Sequence, residues 1–420
     1  MGLKNSEEAV AVQKFKEYLR IKTVQPNPDY GTAVKFLQEY AKELGLLCQV
    51  VEPAPGKPVV IMTWIGQMSD LSAILLNSHM DVVPVFPENW IHDPFEAFEA
   101  DDGKIFARGS QDMKCVGIQH LEAIRHLKNK GFHPKRSVHL TFVPDEEIGG
   151  ELGMKKFCRM QEFQKLNIGF ALDEGLATPD DVYPVFYAER NQYWAEFEFV
   201  GNPGHGSRFI EDTAVEKVHK FMGKVLQFRE QEKQRLESHL ELTDGDVTSS
   251  NITILQGGVQ PNVVPSSIKI TVDFRVTPSR KMDDFERMIQ SWMTEAGPGI
   301  SKRMLVEHKD QTFTSISPDD PWWMAFSGVF VHLNLKMDPQ IFPAGTDSRF
   351  LREFEFAKLL STSPPHLEHL LGIPAIGFSP MIHTPILLHD HNEYLKRPVF
   401  LDGIEIFVHL LKALTTVPQH

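Results

Sequence analysis

The sequence lacks the long apolar runs, the paired cysteines and the excess of positive charge that would each point to a particular way of life. No run approaches the roughly 18 apolar residues of a membrane-spanning helix, and the N-terminus alternates charge with short apolar steps where a signal peptide would carry its apolar core. Three cysteines, Cys48, Cys115 and Cys158, are scattered and odd in number. That pattern argues against a disulfide framework and for a reducing compartment. Lys and Arg number 43 against 56 Asp and Glu, a net charge of −13, which is unsuited to wrapping nucleic acid. The expectation is a cytoplasmic protein with a small-molecule partner, no membrane and no nucleic acid. The opening Met-Gly-Leu-Lys-Asn-Ser fits the loose myristoylation pattern through Gly2 and Ser6. Glu7 and Glu8 follow where an anionic membrane favours basic residues, and the match reads as chance. There is no Gly-x-Ser-x-Gly elbow, no phosphate-cradling Gly-rich Lys loop, no internal repeat and no low-complexity tract.

What is present describes a two-domain globular protein. At 420 residues, 42% hydrophobic and 24% charged, the chain is long enough for two proper cores. Apolar residues recur at helical spacing over 6–20 and over 32–44 before Gly45. The runs 73–76, 138–143 and 168–172 are short and largely apolar, as buried parallel strands should be, and 113–128 between the first two is helical. The expected fold class is α/β, with a mostly parallel central sheet and flanking helices. After Tyr193 the pattern changes to a strand ending at Val200, a helix over 212–236, strands near Ile252 and over 268–276, a helix over 282–293 and a strand over 304–308. This β-α-β-β-α-β order predicts an inserted ferredoxin-like α+β domain. It is assigned to 191–309, with 1–190 and 310–420 forming the α/β domain around it.

Acids and histidines follow the buried runs. In Leu75-Leu76-Asn77-Ser78-His79-Met80-Asp81, His79 and Asp81 are two apart at a strand end and share a side, which suits a metal-bound imidazole and its orienting carboxylate. A hydrogen-bonded core histidine explains the triplet equally well. Asp112 sits where an N-cap belongs, yet only a carboxylate can bridge two cations. Asp145-Glu146-Glu147 follows another strand; it reads either as a solvated acidic turn or as a set whose repulsion cations relieve, one acid ligating while its neighbour takes a proton from water. Asp173-Glu174 and Leu387-Leu388-His389-Asp390-His391-Asn392-Glu393 repeat the theme. Each is weak alone. Together they collect beyond the strand ends of one sheet, where open α/β folds bind their ligands. Histidine and carboxylate ligands without cysteine suit zinc, with cobalt or manganese as substitutes, and make water the nucleophile.

These segments, in this order, resemble the aminoacylase and carboxypeptidase family of co-catalytic dizinc hydrolases, over nearly the whole chain. The resemblance implies a zinc exopeptidase-like fold and two Zn2+ per subunit, one held by His79, Asp112 and Glu174, the other by Asp112, Glu147 and His389. Asp112 would bridge, Glu146 would be the general base, and Asp81 would hold His79. His389 is preferred to His391 because the family histidine stands four residues before a glutamate, here Glu393. His205, in Gly-Asn-Pro-Gly-His-Gly-Ser-Arg, matches a histidine that crosses a homodimer to stabilise the oxyanion, so the inserted domain would serve as lid and dimerisation domain. Asn262, Arg275 and Arg349 match substrate contacts, Arg349 offering a planar fork for a carboxylate. The implied reaction is hydrolysis of N-acyl-L-amino acids to a carboxylate and a free L-amino acid. A dizinc dipeptidase or carboxypeptidase of the same fold is the nearest alternative, and a non-catalytic interaction scaffold is the alternative of another class. One departure is the lengthened segment from Glu353 to Gly372, read as a surface loop that binds no metal.

Overall fold

The computed structural model describes residues 4–309, 312–353 and 372–418. Gly2 and most of the lengthened segment, including Pro364, His366 and His369, lie outside the described residues. The chain divides into two compact units, one of 1–187, 313–339 and 346–420, the other of 188–312 with 340–345. The short return 340–345 is not announced by the sequence pattern. Arg190 accounts for it: its backbone N–H donates to Phe342 O and its Nε to Pro343 O, at 3.0 and 2.8 Å.

The first unit is built on an eight-stranded sheet in the order Leu47–Ala54, Lys57–Trp64, Val138–Val143, Ala73–His79, Ile168–Asp173, Ala375–Gly377, Val182–Glu189, Lys336–Phe342. The four central strands pair in parallel, and the flanking pairs whose direction is resolved are antiparallel. Every residue of Ala73–His79 and of Val138–Val143 is buried. Both faces are covered, which is why these strands read as continuous apolar runs instead of alternating. Ile74, Leu76, Leu140, Phe142, Phe170 and Leu172 join the cluster under the helices Asn5–Leu19, Lys114–Asn129, Pro321–Leu333 and Arg397–Leu414. Leu75, Val143 and Ala171 turn to the opposite face, against Phe157 and Phe163. The helix Tyr30–Leu44 starts at Asp29, whose carboxylate accepts from Thr32 N–H, and stops at Gly45, whose φ of 61° is left-handed and suits a residue without Cβ.

In the second unit a four-stranded antiparallel sheet, ordered Ser249–Gly257, Ser267–Val276, Asn191–Val200, Ile300–Glu307, carries the helices Ala214–Ser238 and Met282–Ala296. Chain order is β-α-β-β-α-β, with a short two-stranded ribbon of Gly204–His205 and Val263–Val264 and a 3-10 turn at Asp244–Asp246 added. Along Asn191–Val200 alternation is strict. Tyr193, Ala195, Phe197 and Phe199 point to the helices, while their neighbours stay half-buried or exposed, because only one face of this sheet is covered.

Candidate metal centre

The parallel strands end at one edge, and the acids stand there. His79 is the last residue of its strand and Asp173 the last of the next, with Glu174 following. Asp145, Glu146 and Glu147 begin the turn just after Val138–Val143. Asp112 precedes the helix Lys114–Asn129 but does not cap it: Met113 holds the N-cap position, without a side-chain hydrogen bond. The Asp112 carboxylate is turned to two histidines instead. Its Oδ1 is 3.0 Å from His79 Nε2 and its Oδ2 is 3.2 Å from His389 Nε2. Glu174 Oε2 is 3.5 Å from His79 Nε2, and Glu147 Oε2 is 2.9 Å from His389 Nε2. Two groups result, His79 with Asp112 and Glu174, and Asp112 with Glu147 and His389, each with candidate ligand atoms all within 4.8 Å of one another. His391 stays out, with its Nε2 3.3 Å from Asn89 Nδ2.

The arrangement calls for cations. Burial disfavours the charged form of His79, but Glu174 and Asp112 outweigh it and raise its pKa well above the ordinary value. Hydrogen bonds to Asp112 and Glu147 raise His389 to about 10. Burial, helped by Asp112, pushes Glu147 up to about 7, and burial together with Asp112 raises Glu174. Burial and the nearby Glu174 raise Glu146. Acids crowded at a sheet edge, with histidine nitrogens aimed at them, form a cluster whose mutual repulsion a bound cation would relieve. Divalent metal fits the donor set: imidazole and carboxylate atoms, no thiol, and one carboxylate presenting a separate oxygen to each group. A ligating histidine needs its other nitrogen fixed, and His79 Nδ1 donates to Asp81 O at 2.9 Å.

That last bond differs from the sequence expectation. The Asp81 carboxylate, at 3.7 Å from Nδ1, is engaged elsewhere. It accepts the N–H groups of Glu146 and Glu147, both at 3.2 Å, and the Gln25 amide at 2.8 Å. The Asp81 side chain instead faces the acidic turn. Other supports escaped sequence reasoning. Glu393, used there only as a spacing mark, is fully buried. It accepts from Arg108 Nη1, Gly109 N, Gln111 N and Asp112 N at 2.8, 3.2, 2.6 and 3.3 Å. Gln111 in turn donates to Pro385 O and Tyr394 O and accepts from Leu387 N–H, which ties the His389 loop to the Asp112 loop. Asp173 accepts from Asn77 Nδ2 and Ser348 Oγ at 3.0 and 2.9 Å. The sequence signal for this support is Asn77, a polar residue directly after the apolar run 73–76 of a buried strand.

Arg349 is buried beside the same turn. Its Nη2 donates to Gly149 O at 2.9 Å, while Nε and Nη1 have no hydrogen-bond partner among the described residues. The other residues named from the sequence belong to the second unit. His205 is exposed on the short ribbon, with Nδ1 2.8 Å from Ser207 Oγ. Asn262 O accepts from Gly206 N–H on the same ribbon. Arg275 pairs with Asp273 at 2.9 Å and lies over the Trp194 ring.

Residues 75–413 match peptidase family M20/M25/M40. Aminoacylase-1 of Sus scrofa is 53% identical over 411 residues, covering 98% of this chain and 97% of that protein. The Homo sapiens aminoacylase-1 is 50% identical over 412 residues, with the same coverage. Among solved structures, a dinuclear metal binding peptidase from the M20 family of Bacillus subtilis superposes with a TM-score of 0.67 at 12% identity, covering 99% of this chain and 100% of that one. The aminopeptidase PepT of Bacillus cereus gives 0.71 at 16% identity, with 97% and 98% covered. At such identities the structural likeness speaks for the fold alone.

Proposed function

Because the chain belongs to peptidase family M20/M25/M40, we propose that it is a metal-dependent hydrolase that cleaves N-acyl-L-amino acids to a carboxylate and a free L-amino acid, the activity for which its aminoacylase-1 relatives are named. The observation that carries this reading is Asp112, whose two oxygens face two different histidines. His79, Asp112 and Glu174 would hold one Zn2+, and Asp112, Glu147 and His389 the other. Ions so placed lower the pKa of a water and polarise an acyl oxygen. Glu146, its pKa raised by burial and Glu174, takes the proton of the attacking water and delivers it to the departing nitrogen. Asp81 holds the backbone of Glu146 and Glu147. Arg349 Nε and Nη1, which have no hydrogen-bond partner among the described residues, suit a substrate carboxylate; in the second unit, Asn262 and Arg275 are the residues proposed to contact substrate.

A homodimer completes this reading, with His205 supplied by the second copy to the oxyanion. In support, Ser249–Gly257 is a sheet-edge strand with Ile254 and Leu255 exposed, and Val259 beyond it is 90% exposed; such an edge is ordinarily covered. The cytoplasm is the proposed compartment, consistent with Cys48, Cys115 and Cys158 as free thiols. Among the described residues no helix is long and apolar enough to cross a membrane. The test is release of L-methionine from N-acetyl-L-methionine by the zinc-loaded protein, beside a chelated sample and Glu146→Gln. Activity lost in both controls supports the reading. Turnover of dipeptides alone would move it to a dipeptidase, and no turnover of either with two zinc ions bound would sink it.

A further inference from the structure

Residues 23–25 run alongside the chain that leaves His79. Val24 and Val82 form a parallel bridge, Gln25 N–H donates to Val82 O, and Val82 N–H donates to Thr23 O, both at 3.0 Å. This places the Gln25 side chain, 5% exposed, between two buried carboxylates. Its Nε2 donates to Asp81 Oδ2 at 2.8 Å and to Asp145 Oδ1 at 3.1 Å. Carboxylates only accept, so the amide must present its NH2 here, and its two protons match the two acceptors. Asp145 is held from two more sides. Tyr30 Oη donates to Asp145 Oδ1 at 2.8 Å and accepts the Asp145 N–H at 2.9 Å, and Lys57 Nζ is 2.6 Å from Oδ2. These bonds sustain a left-handed backbone, φ 66°, which costs a non-glycine residue about 1 kcal/mol. The Asp145 conformation starts the turn that carries Glu146 and Glu147, and Asp81 accepts their N–H groups.

We propose that Gln25, backed by Tyr30 and Lys57, is a positioning residue for the hydrolytic centre: its amide ties Asp81 to Asp145 and so holds the Glu146–Glu147 backbone in working register. The inference rests on the reading of Glu146 as base and Glu147 as ligand. Gln25→Leu keeps the volume and removes both donors. In metal-free and zinc-loaded protein alike, its Glu146 and Glu147 amides should exchange hydrogen about ten-fold faster, with protection of Ala73–His79 unchanged. Its kcat should fall about 10- to 100-fold while KM stays within about two-fold, the signature of a misplaced group. Tyr30→Phe, a milder change that decides the matter if Gln25→Leu does not fold, should shift both readouts the same way by about three-fold or more. Wild-type protection at Glu146 and Glu147, or a loss of protection spread evenly over the first unit, would overturn the proposal. Glu146→Gln, assayed in parallel, separates the two questions: retained turnover there defeats the base assignment, while the exchange data still judge what Gln25 holds.

Discussion

His79 is 1% exposed, with Nδ1 fixed by a main-chain carbonyl and Nε2 facing two carboxylates. His205 stands exposed on a two-residue ribbon, and among the described residues its ring meets only Ser207. The first site is determined several times over by buried bonds from four parts of the chain. The second has local order and no chemistry of its own. The contrast teaches that buried bonds within one chain can build a candidate metal centre, whereas the oxyanion role proposed for His205 calls for a second copy to bring it to a substrate.

The largest effect that can test this contrast is Glu146→Gln. Turnover should fall about 10²- to 10⁴-fold, the range of a lost general base, with two zinc ions retained by metal analysis. Loss of zinc instead would show that Glu146 builds the centre and does not merely use it. His205→Ala comes next. Turnover should drop on the order of 10²-fold, as for a lost oxyanion donor, with metal content and melting temperature unchanged. Mixing it with Glu146→Gln under conditions of subunit exchange should restore activity, since one site of each mixed dimer is then whole. If mixing restores nothing although mixed dimers form, His205 does not serve across copies.

The smallest expected effect concerns a third histidine. His120 is as buried as His79, but among the described residues its ring nitrogens have no hydrogen-bond partner, and it packs edge-on against Phe407. Burial alone lowers its pKa to about 3, the opposite of His79 beside its acids. The unfolded chain therefore binds a proton that the folded protein refuses between about pH 6.5 and pH 3. His120's contribution to stability is intact above the unfolded value and shrinks as pH falls below it. Between pH 7 and pH 5 this should remove about 2 kcal/mol. Urea denaturation should find that part of the pH dependence gone in His120→Leu; an unchanged slope would mean that His120 is not held neutral.

Much was legible in the sequence because burial leaves a period. Apolar runs marked strands covered on both faces, strict alternation marked the one-sided sheet of the second unit, and acids placed just after the runs marked the strand ends. The kinds of donor at the site, imidazole and carboxylate without thiol, followed from residue type. Less legible were the bonds that hold it. Glu393 meets the Asp112 backbone across 281 residues, and Gln25 meets Asp145 across 120. No periodicity encodes such meetings.

The sequence by itself therefore determined the elements, their order and the kinds of ligand available, since these depend on local propensity and on which face is apolar. Only the tertiary structure decided which atom of Asp81 lies against His79 and that the Asp112 carboxylate turns to His79 and His389 instead of capping its helix. A hydrogen bond or a ligand contact depends on atoms placed within a few tenths of an ångström by loops far apart in the chain, and that placement exists only once the core beneath those loops is packed.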